Sequence, residues 1–255
     1  MILIEIGMIA SDTSRSRAYL QALIRNNLLP NFVILLRQDA SGTLPGQINP
    51  EANAKEKVYY APEEEECWSE AHFDPTRSIL LDLNASNIPY EVLETNDINH
   101  PLVSKLLSES SESTFIYSGV GGVLLRRDVL ASGKNFLHVH GGYLPDYKGS
   151  TTNFYSLLVD ETVGASSLFL VEEIDSGPVI LRRKFPAPNN RLAIDHIYDS
   201  AARAKILVET LQNYVRSGFW TCELEENSGG ETYYIIHPVL KHIAILDKGG
   251  RSLCE

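Results

Sequence analysis

Two histidines and one aspartate are the residues of this chain best suited to act together on a substrate. Phe136 to His140 alternate like a strand, so His138 and His140 are predicted to lie on the same side of it. Asp175 follows within IleAspSerGly, after enough chain to cross over and return beside the histidines. Imidazole titrates near neutral pH and a neighbouring carboxylate can orient it, so this set is suited to proton transfer.

The segment after His140, GlyGlyTyrLeuPro, is typical of a turn at the end of a strand. Its glycines allow unusual backbone angles and close approach of a ligand. Because open α/β sheets bind ligands at the carboxyl ends of their parallel strands, this turn is where a site is expected.

The chain before this stretch predicts the sheet that would carry it. Met1 to Ile9 is a short apolar run, a capped helix pattern follows, and PheValIleLeuLeu predicts a second strand. Strand, helix and strand form a βαβ unit, which implies a parallel sheet. We therefore expect an α/β fold with a mostly parallel sheet flanked by helices. Gly7 is not followed by GxGxxG, so classical dinucleotide binding is not supported.

The last quarter of the chain predicts a different arrangement. Residues 190–218 read as one long amphipathic helix. Two strand-like runs then flank AsnSerGlyGly, which predicts a β-hairpin. We expect a catalytic domain over 1–217, with the hairpin and tail forming an appendage over 218–255.

The pattern HGGYLPDYKGS, then a helix, then IDSGPVI, resembles the signature of the folate-dependent formyltransferases. In that family, which includes methionyl-tRNA formyltransferases and sugar N-formyltransferases, a strand ends in Asn-x-His before a Leu-Pro turn, and Asp-x-Gly follows downstream. The resemblance is strong over 113–180 and weak over the rest of 1–217. It matches His140 to the catalytic histidine and Asp175 to the catalytic aspartate, whereas His138 replaces the usual asparagine.

This resemblance implies a Rossmann-like formyltransferase fold and an N-formyltransferase that uses 10-formyltetrahydrofolate as formyl donor. The core-plus-hairpin layout favours an amino-sugar nucleotide as acceptor and a homodimer formed through the hairpin, with Trp220, Tyr233 and Tyr234 exposed at the contact. An amino-acid-like or purine-pathway amine is the alternative acceptor. Two other classes stay open: a metal-dependent hydrolase, because His-x-His plus a carboxylate is also a ligand set, and a non-catalytic binding protein.

Two loops are predicted to contact the ligands. A glycine-rich segment follows the apolar run ThrPheIleTyrSer, and the resemblance implies that it lies against the pteridine of the donor, although a tight turn into a helix explains it equally well. Its residues are Gly119, Val120, Gly121, Gly122 and Val123. The acceptor is expected to contact the loop after the Leu-Pro turn, at Tyr147, Lys148, Gly149 and Ser150.

Formyl transfer to an amine needs stabilisation of an oxyanion and removal of a proton from nitrogen. We expect His140 to hydrogen-bond the oxyanion or assist proton transfer, and Asp175 to favour its protonated form. His138 is expected to be neutral and to donate to the oxyanion or orient His140. The scheme requires no metal.

Composition limits the classes of molecule and the compartment that we expect for this protein. The 255 residues carry a formal net charge of −11, which disfavours nucleic acid as a substrate. The sequence has no apolar run long enough to span a membrane and no basic leader. Three scattered cysteines, Cys67, Cys222 and Cys254, fit a reducing compartment, so we expect a cytoplasmic protein. The loops at 38–60 and 146–155 contain no motif that identifies the acceptor.

Overall fold

The computed structural model describes residues 1–37 and 71–246. The predicted loop at 38–60, Cys67 and Cys254 therefore lie outside the described residues. Within these ranges, no helix is long and apolar enough to cross a membrane.

Eleven strands are assigned in the described ranges. They are β1 (Ile2–Leu3), β2 (Ile6–Ser11), β3 (Leu29–Pro30), β4 (Val33–Leu36), β5 (Tyr90–Leu93), β6 (Thr114–Ser118), β7 (Asn135–His140), β8 (Tyr147–Gly149), β9 (Thr162–Phe169), β10 (Val179–Pro186) and β11 (Glu231–Tyr233). The α-helices are α1 (Ser14–Arg25), α2 (Ile79–Ala85), α3 (Pro101–Glu109), α4 (Arg127–Leu130), α5 (Thr152–Val159), α6 (Asp199–Ser217) and α7 (Pro238–Ile245).

The central sheet has the strand order β10-β9-β7-β6-β2-β4-β5. Strands β7, β6, β2, β4 and β5 are parallel, and β9 runs antiparallel to both of its neighbours. The predicted α/β class with a mostly parallel sheet is confirmed. Because β7 is the last strand of the parallel set, its carboxyl end, with both histidines, borders the antiparallel strand β9.

Alternation along β7 divides its side chains between two apolar layers. Leu137 and Val139 face the layer that contains α1 and α6, whereas Phe136 packs with Phe115 and Tyr117 on the opposite face. His138, two residues from Phe136, lies on that second face. The sheet is thus covered on both sides, and only its ends remain for a ligand.

The predicted single helix over 190–218 is wrong in its first third. Arg191–Ala193 form a 3₁₀ turn and Ile194–Tyr198 a π-helical turn, and α6 begins at Asp199. The helix ends where Gly218 adopts φ 80°, a left-handed cap that glycine permits. The wider π turn precedes the two charged residues of α6 that reach the carboxyl end of β7.

The predicted β-hairpin is also wrong. Leu224 forms an antiparallel bridge with Val179 of β10, and β11 pairs in parallel with β8 in the loop after the histidines. This pairing packs the Tyr233 ring against Tyr147 and Tyr155, with centroids 5.5 and 4.5 Å apart. An exposed hairpin would leave the Tyr233 ring without this aromatic packing, which explains why β11 pairs with β8 instead.

The aromatic residues expected at a dimer contact differ in exposure. Trp220 is partly buried, stacked on Tyr214 at 4.0 Å and edge-on to Phe169 at 5.4 Å, and Tyr234 is 82% exposed. The hairpin contact surface is therefore not formed as predicted, and a homodimer stays a prediction.

Helix α6 anchors one layer of the core, so its buried face should dominate stability. Leu207 is fully buried, and Leu207→Ala should lower the free energy of unfolding by about 2–5 kcal/mol, because it removes apolar contacts and leaves a cavity. Urea denaturation measures the change. Val215→Ala on the same helix, at a side chain 40% exposed, should cost less than about 1 kcal/mol. Equal losses in the two variants would contradict this account of the core.

Candidate active site

The carboxyl end of β7 brings His140 and Asp175 together. Nδ1 of His140 lies 3.3 Å from Oδ2 of Asp175, and both side chains are buried. The predicted return of the chain to the histidines therefore occurs, through the loop that joins the antiparallel strands β9 and β10. A buried imidazole beside a carboxylate can exchange or share a proton away from water.

Asp175 is held by the loop that follows the histidines. The Gly149 N–H donates to Oδ2 of Asp175 at 2.8 Å, so one carboxylate oxygen faces both the amide and the imidazole. Gly149 has φ 96°, which suits glycine, and Asp175 itself adopts φ 50°. A non-glycine residue at positive φ is uncommon and is strained unless its surroundings fix it.

Both ring nitrogens of His140 face protein oxygens. Nε2 donates to the Tyr147 carbonyl at 2.8 Å, while Nδ1 faces Asp175. Burial lowers the pKa of His140, Asp175 opposes this change, and Arg203 adds to the lowering. Asp175 thus favours the protonated form, as expected, but the cost of burying a charge outweighs this attraction and the pKa of His140 stays below its ordinary value.

His138 lies on the neighbouring position of the same strand face and meets a different partner. Its Nδ1 is 3.2 Å from the carbonyl oxygen of Tyr117 on β6, and the two rings lie 6.0 Å apart. Burial, followed by the charges of Arg15 and Arg203, lowers the pKa of His138 well below its ordinary value. The expected neutral state agrees with this environment.

Two partly buried arginines create the positive field around the histidines. Arg15, in the first turn of α1, donates through Nε to Ser118 Oγ at 3.2 Å and through Nη2 to the Gly119 carbonyl. Arg203 of α6 donates to the Val139 carbonyl at 2.9 Å and pairs with Asp199, 2.8 Å away. Sequence reasoning missed both arginines. The one signal in the sequence for Arg203 was its i,i+4 spacing from Asp199, which is typical of an ion pair on a helix.

The glycine-rich segment Gly119–Val123 begins directly after β6, beside the strand that carries His138. Gly119 is fixed through its carbonyl by Arg15, and Gly122 adopts φ 83°. Gly121 and Gly122 are exposed, whereas Val123 packs against the apolar layer that includes Tyr117. The structure thus places this segment next to His138, and Val120 lies within it, but its contact with a donor stays a prediction.

The four residues predicted to contact the acceptor already make contacts within the protein, some through backbone groups and some through side chains. Tyr147 contributes its carbonyl to His140 and Gly149 its N–H to Asp175. The Tyr147 ring is buried against Tyr233, and Ser150 donates its N–H to the Tyr233 carbonyl at 2.8 Å. Nζ of the buried Lys148 donates to the backbone carbonyl of residue 227 at 2.7 Å. Direct contact with an acceptor stays a prediction for all four.

Asn227 is a second residue that sequence reasoning missed. Its buried Nδ2 donates to the carbonyl of Asp175 at 2.6 Å and to that of Gly177 at 3.3 Å, while its own carbonyl accepts from Lys148. It therefore joins the loop that carries Asp175 to the loop that carries Gly149. In the sequence Asn227 opens AsnSerGlyGly and reads only as a turn residue.

Two cavities adjoin these elements. One, of about 170 Å³, is lined by His140, Gly149 and Asn153 together with the charged residues Asp199 and Arg203. The other, of about 360 Å³, lies at the amino end of β7, and both apolar and charged residues line it. Its lining includes Leu130, Phe136 and Leu170, the cations Arg127 and Lys134, and the carboxylate of Glu172.

Metal ligation was the competing use of this histidine pair. Within 1–37 and 71–246, no group of three or more His, Cys, Asp or Glu side chains is arranged to hold a metal ion. His138 and His140 face different oxygens, those of Tyr117 on one side and of Tyr147 and Asp175 on the other.

The pairing of β8 with β11 should make Gly149 intolerant of any side chain. A Cβ at Gly149 would overlap the Tyr233 carbonyl, and φ 96° is strained for alanine. Gly149→Ala should lower the free energy of unfolding by about 1–3 kcal/mol from backbone strain, with the overlap adding to the loss. Thermal and urea unfolding measure it. Gly121→Ala is the matched control, since nothing lies within 4 Å of its added Cβ; a comparable loss there would contradict the contact with β11.

The neutral state of the partly buried His138 should appear in the pH dependence of stability. Because the pKa of His138 is lowered on folding, the unfolded chain binds more protons below its ordinary pKa of about 6.5. This contribution is complete above that pH and is lost as the pH falls toward the folded pKa. His138→Gln should therefore flatten the loss of stability below about pH 6.5, measured by urea unfolding at several pH values. The exposed His242→Gln should follow the wild-type curve, and identical curves for all three proteins would refute the assignment.

Sequence comparison gives one group of relatives. No protein-family model matches the chain. Methionyl-tRNA formyltransferase of Listeria welshimeri is 27% identical over 146 residues, which cover 55% of this chain and 44% of the relative. The match therefore spans less than half the length of that protein.

Solved structures share the fold over most of the chain. An N-formyltransferase from Helicobacter canadensis, in complex with folinic acid and dTDP-3-aminofucose, has a TM-score of 0.54 and 14% identity, covering 91% of this chain and 71% of its own. Phosphoribosylglycinamide formyltransferase from Streptococcus pneumoniae has a TM-score of 0.52 and 15% identity, covering 85% and 98%. The chain is therefore similar in sequence to methionyl-tRNA formyltransferases over about half of its length, and it shares the fold of the solved formyltransferases.

Proposed function

We propose that the protein is an N-formyltransferase that moves a formyl group from 10-formyltetrahydrofolate to a small amine, an amino-sugar nucleotide. The observation that carries the proposal is the buried contact of His140 with Asp175, whose carboxylate also accepts from the Gly149 N–H. The three residues come from the two motifs by which the sequence resembles the family, and the structure brings those motifs to one point.

The reaction passes through a tetrahedral oxyanion, which a preorganised positive or hydrogen-bonding group stabilises. His140 can take up positive charge because each of its nitrogens faces an acceptor oxygen, from Tyr147 or Asp175. A proton taken up at Nδ1 would face Asp175. In this scheme His140 balances the developing negative charge, and Asp175 supports the imidazolium form during the reaction.

The donor is assigned to the sheet face that carries His138. The loop Gly119–Val123 follows β6, which pairs with the strand that carries His138. The exposed backbone of Gly121 and Gly122 in this loop can lie against the flat ring of the donor.

The acceptor is assigned to the smaller cavity that touches His140. Its lining combines the carboxylates of Asp195 and Asp199 with the guanidinium of Arg203, which suits a polar ligand. The dTDP-3-aminofucose bound by the Helicobacter enzyme has an amino group, which supports an amino-sugar nucleotide. A cytoplasmic location and a homodimer complete the proposal.

Donor binding is the first test. Calorimetric titration of the full chain with 5-formyltetrahydrofolate, a stable mimic of the donor, should give saturable binding. His140→Ala should retain it, because the donor is assigned to the loop after β6 and the His140 ring is held by Tyr147 and Asp175. No binding to the wild type at high ligand concentration would overturn the proposed function.

Transfer is the second arm of the same test. With 10-formyltetrahydrofolate, a dTDP-linked 4-amino sugar should be formylated, whereas the matching 4-hydroxy sugar should not. His140→Ala and Asp175→Asn should each reduce the rate by about 10²–10⁴-fold, the usual contribution of a positioned acid or base. His242→Ala, at an exposed position, serves as the control. Donor binding without transfer to the sugar or to any amine in a screen would instead identify a non-catalytic binding protein.

A further inference from the structure

The four ring nitrogens of His138 and His140 are not equivalent. Three face protein oxygens: both nitrogens of His140, and Nδ1 of His138. Nε2 of His138 has no partner among the described residues, and its side chain is only partly buried. It is therefore the nitrogen of the pair left for a ligand.

The partner of Nδ1 fixes where the proton of His138 resides. A backbone carbonyl only accepts hydrogen bonds, so the 3.2 Å contact with Tyr117 requires the proton on Nδ1. A neutral imidazole carries a single N–H, which leaves Nε2 with a free lone pair. Burial and the charges of Arg15 and Arg203 hold the ring in this neutral form.

With its proton on Nδ1, His138 cannot donate the hydrogen bond that the asparagine usual at this position of the family can donate. The side-chain amide of asparagine can donate to an oxyanion, but the free nitrogen of His138 can only accept. The expectation that His138 donates to the oxyanion therefore conflicts with the contact to Tyr117. The positive field of Arg15 and Arg203 must then stabilise the oxyanion.

We propose that His138, through Nε2, accepts the proton that the acceptor amine loses during formyl transfer. The role rests on the proposed function and adds a catalytic assignment to it. The amine nitrogen attacks the formyl carbon, the N–C bond forms, and the carbonyl π electrons move to oxygen while the N–H proton passes to Nε2. When the oxyanion collapses, the bond from the formyl carbon to N10 of the folate breaks, and N10 takes up a proton. His138 returns to its neutral state when it releases its proton.

Nuclear magnetic resonance on the full chain with ¹⁵N-labelled histidine tests the tautomer directly. At about pH 8.5, where an ordinary imidazole is neutral, His138 should show a protonated Nδ1 and an unprotonated Nε2. His138→Gln identifies its signals. A protonated Nε2 in the wild type at this pH would overturn the proposal whatever the activity of the protein.

Two other histidines are expected to have the opposite tautomer, and their signals serve as a reference in the same experiment. Nδ1 of His100 accepts from the Leu102 N–H, and Nδ1 of His237 accepts from the Val239 N–H, each at 3.3 Å. These two rings should show an unprotonated Nδ1 in the same spectrum. The pattern of His138 should therefore be the reverse of theirs.

Kinetics separates proton acceptance from a structural role. His138→Asn should bind 5-formyltetrahydrofolate like the wild type but transfer formyl to the dTDP-linked 4-amino sugar about 10²–10⁴-fold more slowly. The wild-type rate should fall in acid as Nε2 becomes protonated, and the variant should lack this limb. Wild-type binding of the donor with equal rates in both proteins would overturn the role of His138 alone, whereas absence of donor binding would refute the proposed function itself.

Discussion

The carboxylate of Asp175 is the interaction on which the site depends. One of its oxygens faces both the Gly149 N–H and the imidazole of His140, so it joins the loop after β9 to the loop after β7. A single buried carboxylate thus fixes the separation of two chain segments that meet only in the folded protein. It also supplies the attraction that opposes the burial cost of a charged His140.

The C-terminal segment stabilises this arrangement. Asn227 donates to the carbonyl of Asp175, whose backbone has φ 50°, and the parallel pairing of β11 with β8 holds the loop that contains Gly149. The Thr151 hydroxyl adds a contact by accepting the Ile236 N–H at 2.9 Å. Residues beyond α6 therefore contact the loop that contains Gly149 directly. The division at 217 and 218 stays a prediction, but these contacts connect its two parts at the site.

Sequence patterns correctly predicted the structural features that depend only on neighbouring residues. Strand alternation predicted that His138 and His140 share a face, and βα alternation predicted the mostly parallel sheet. The spacing of the two motifs predicted that Asp175 returns to His140. These features depend on the periodicity of a strand or on connection rules, which can be read from neighbouring residues.

Features that depend on distant contacts were not predictable. The strand that pairs with Glu231–Tyr233 is β8, about eighty residues away, and nothing near the turn at 227–230 indicates it. Arg15 acts through the carbonyl of Gly119, and Arg203 through that of Val139, so neither has a recognisable motif. The lowered pKa of His140 follows from burial, which a pair of residue types cannot reveal.

The charge distribution gives the site its chemical character. The chain carries a net charge of −11, yet two partly buried arginines lie close enough to the histidines to lower their pKa values. Arg15 and Arg203 already donate to backbone carbonyls, so they act on the site mainly through their field. That field disfavours a resting charge on either imidazole and favours negative charge on a bound oxyanion. In the proposed mechanism, an otherwise acidic protein can therefore keep His138 free to accept a proton and still stabilise the anionic intermediate that forms when the proton leaves the amine.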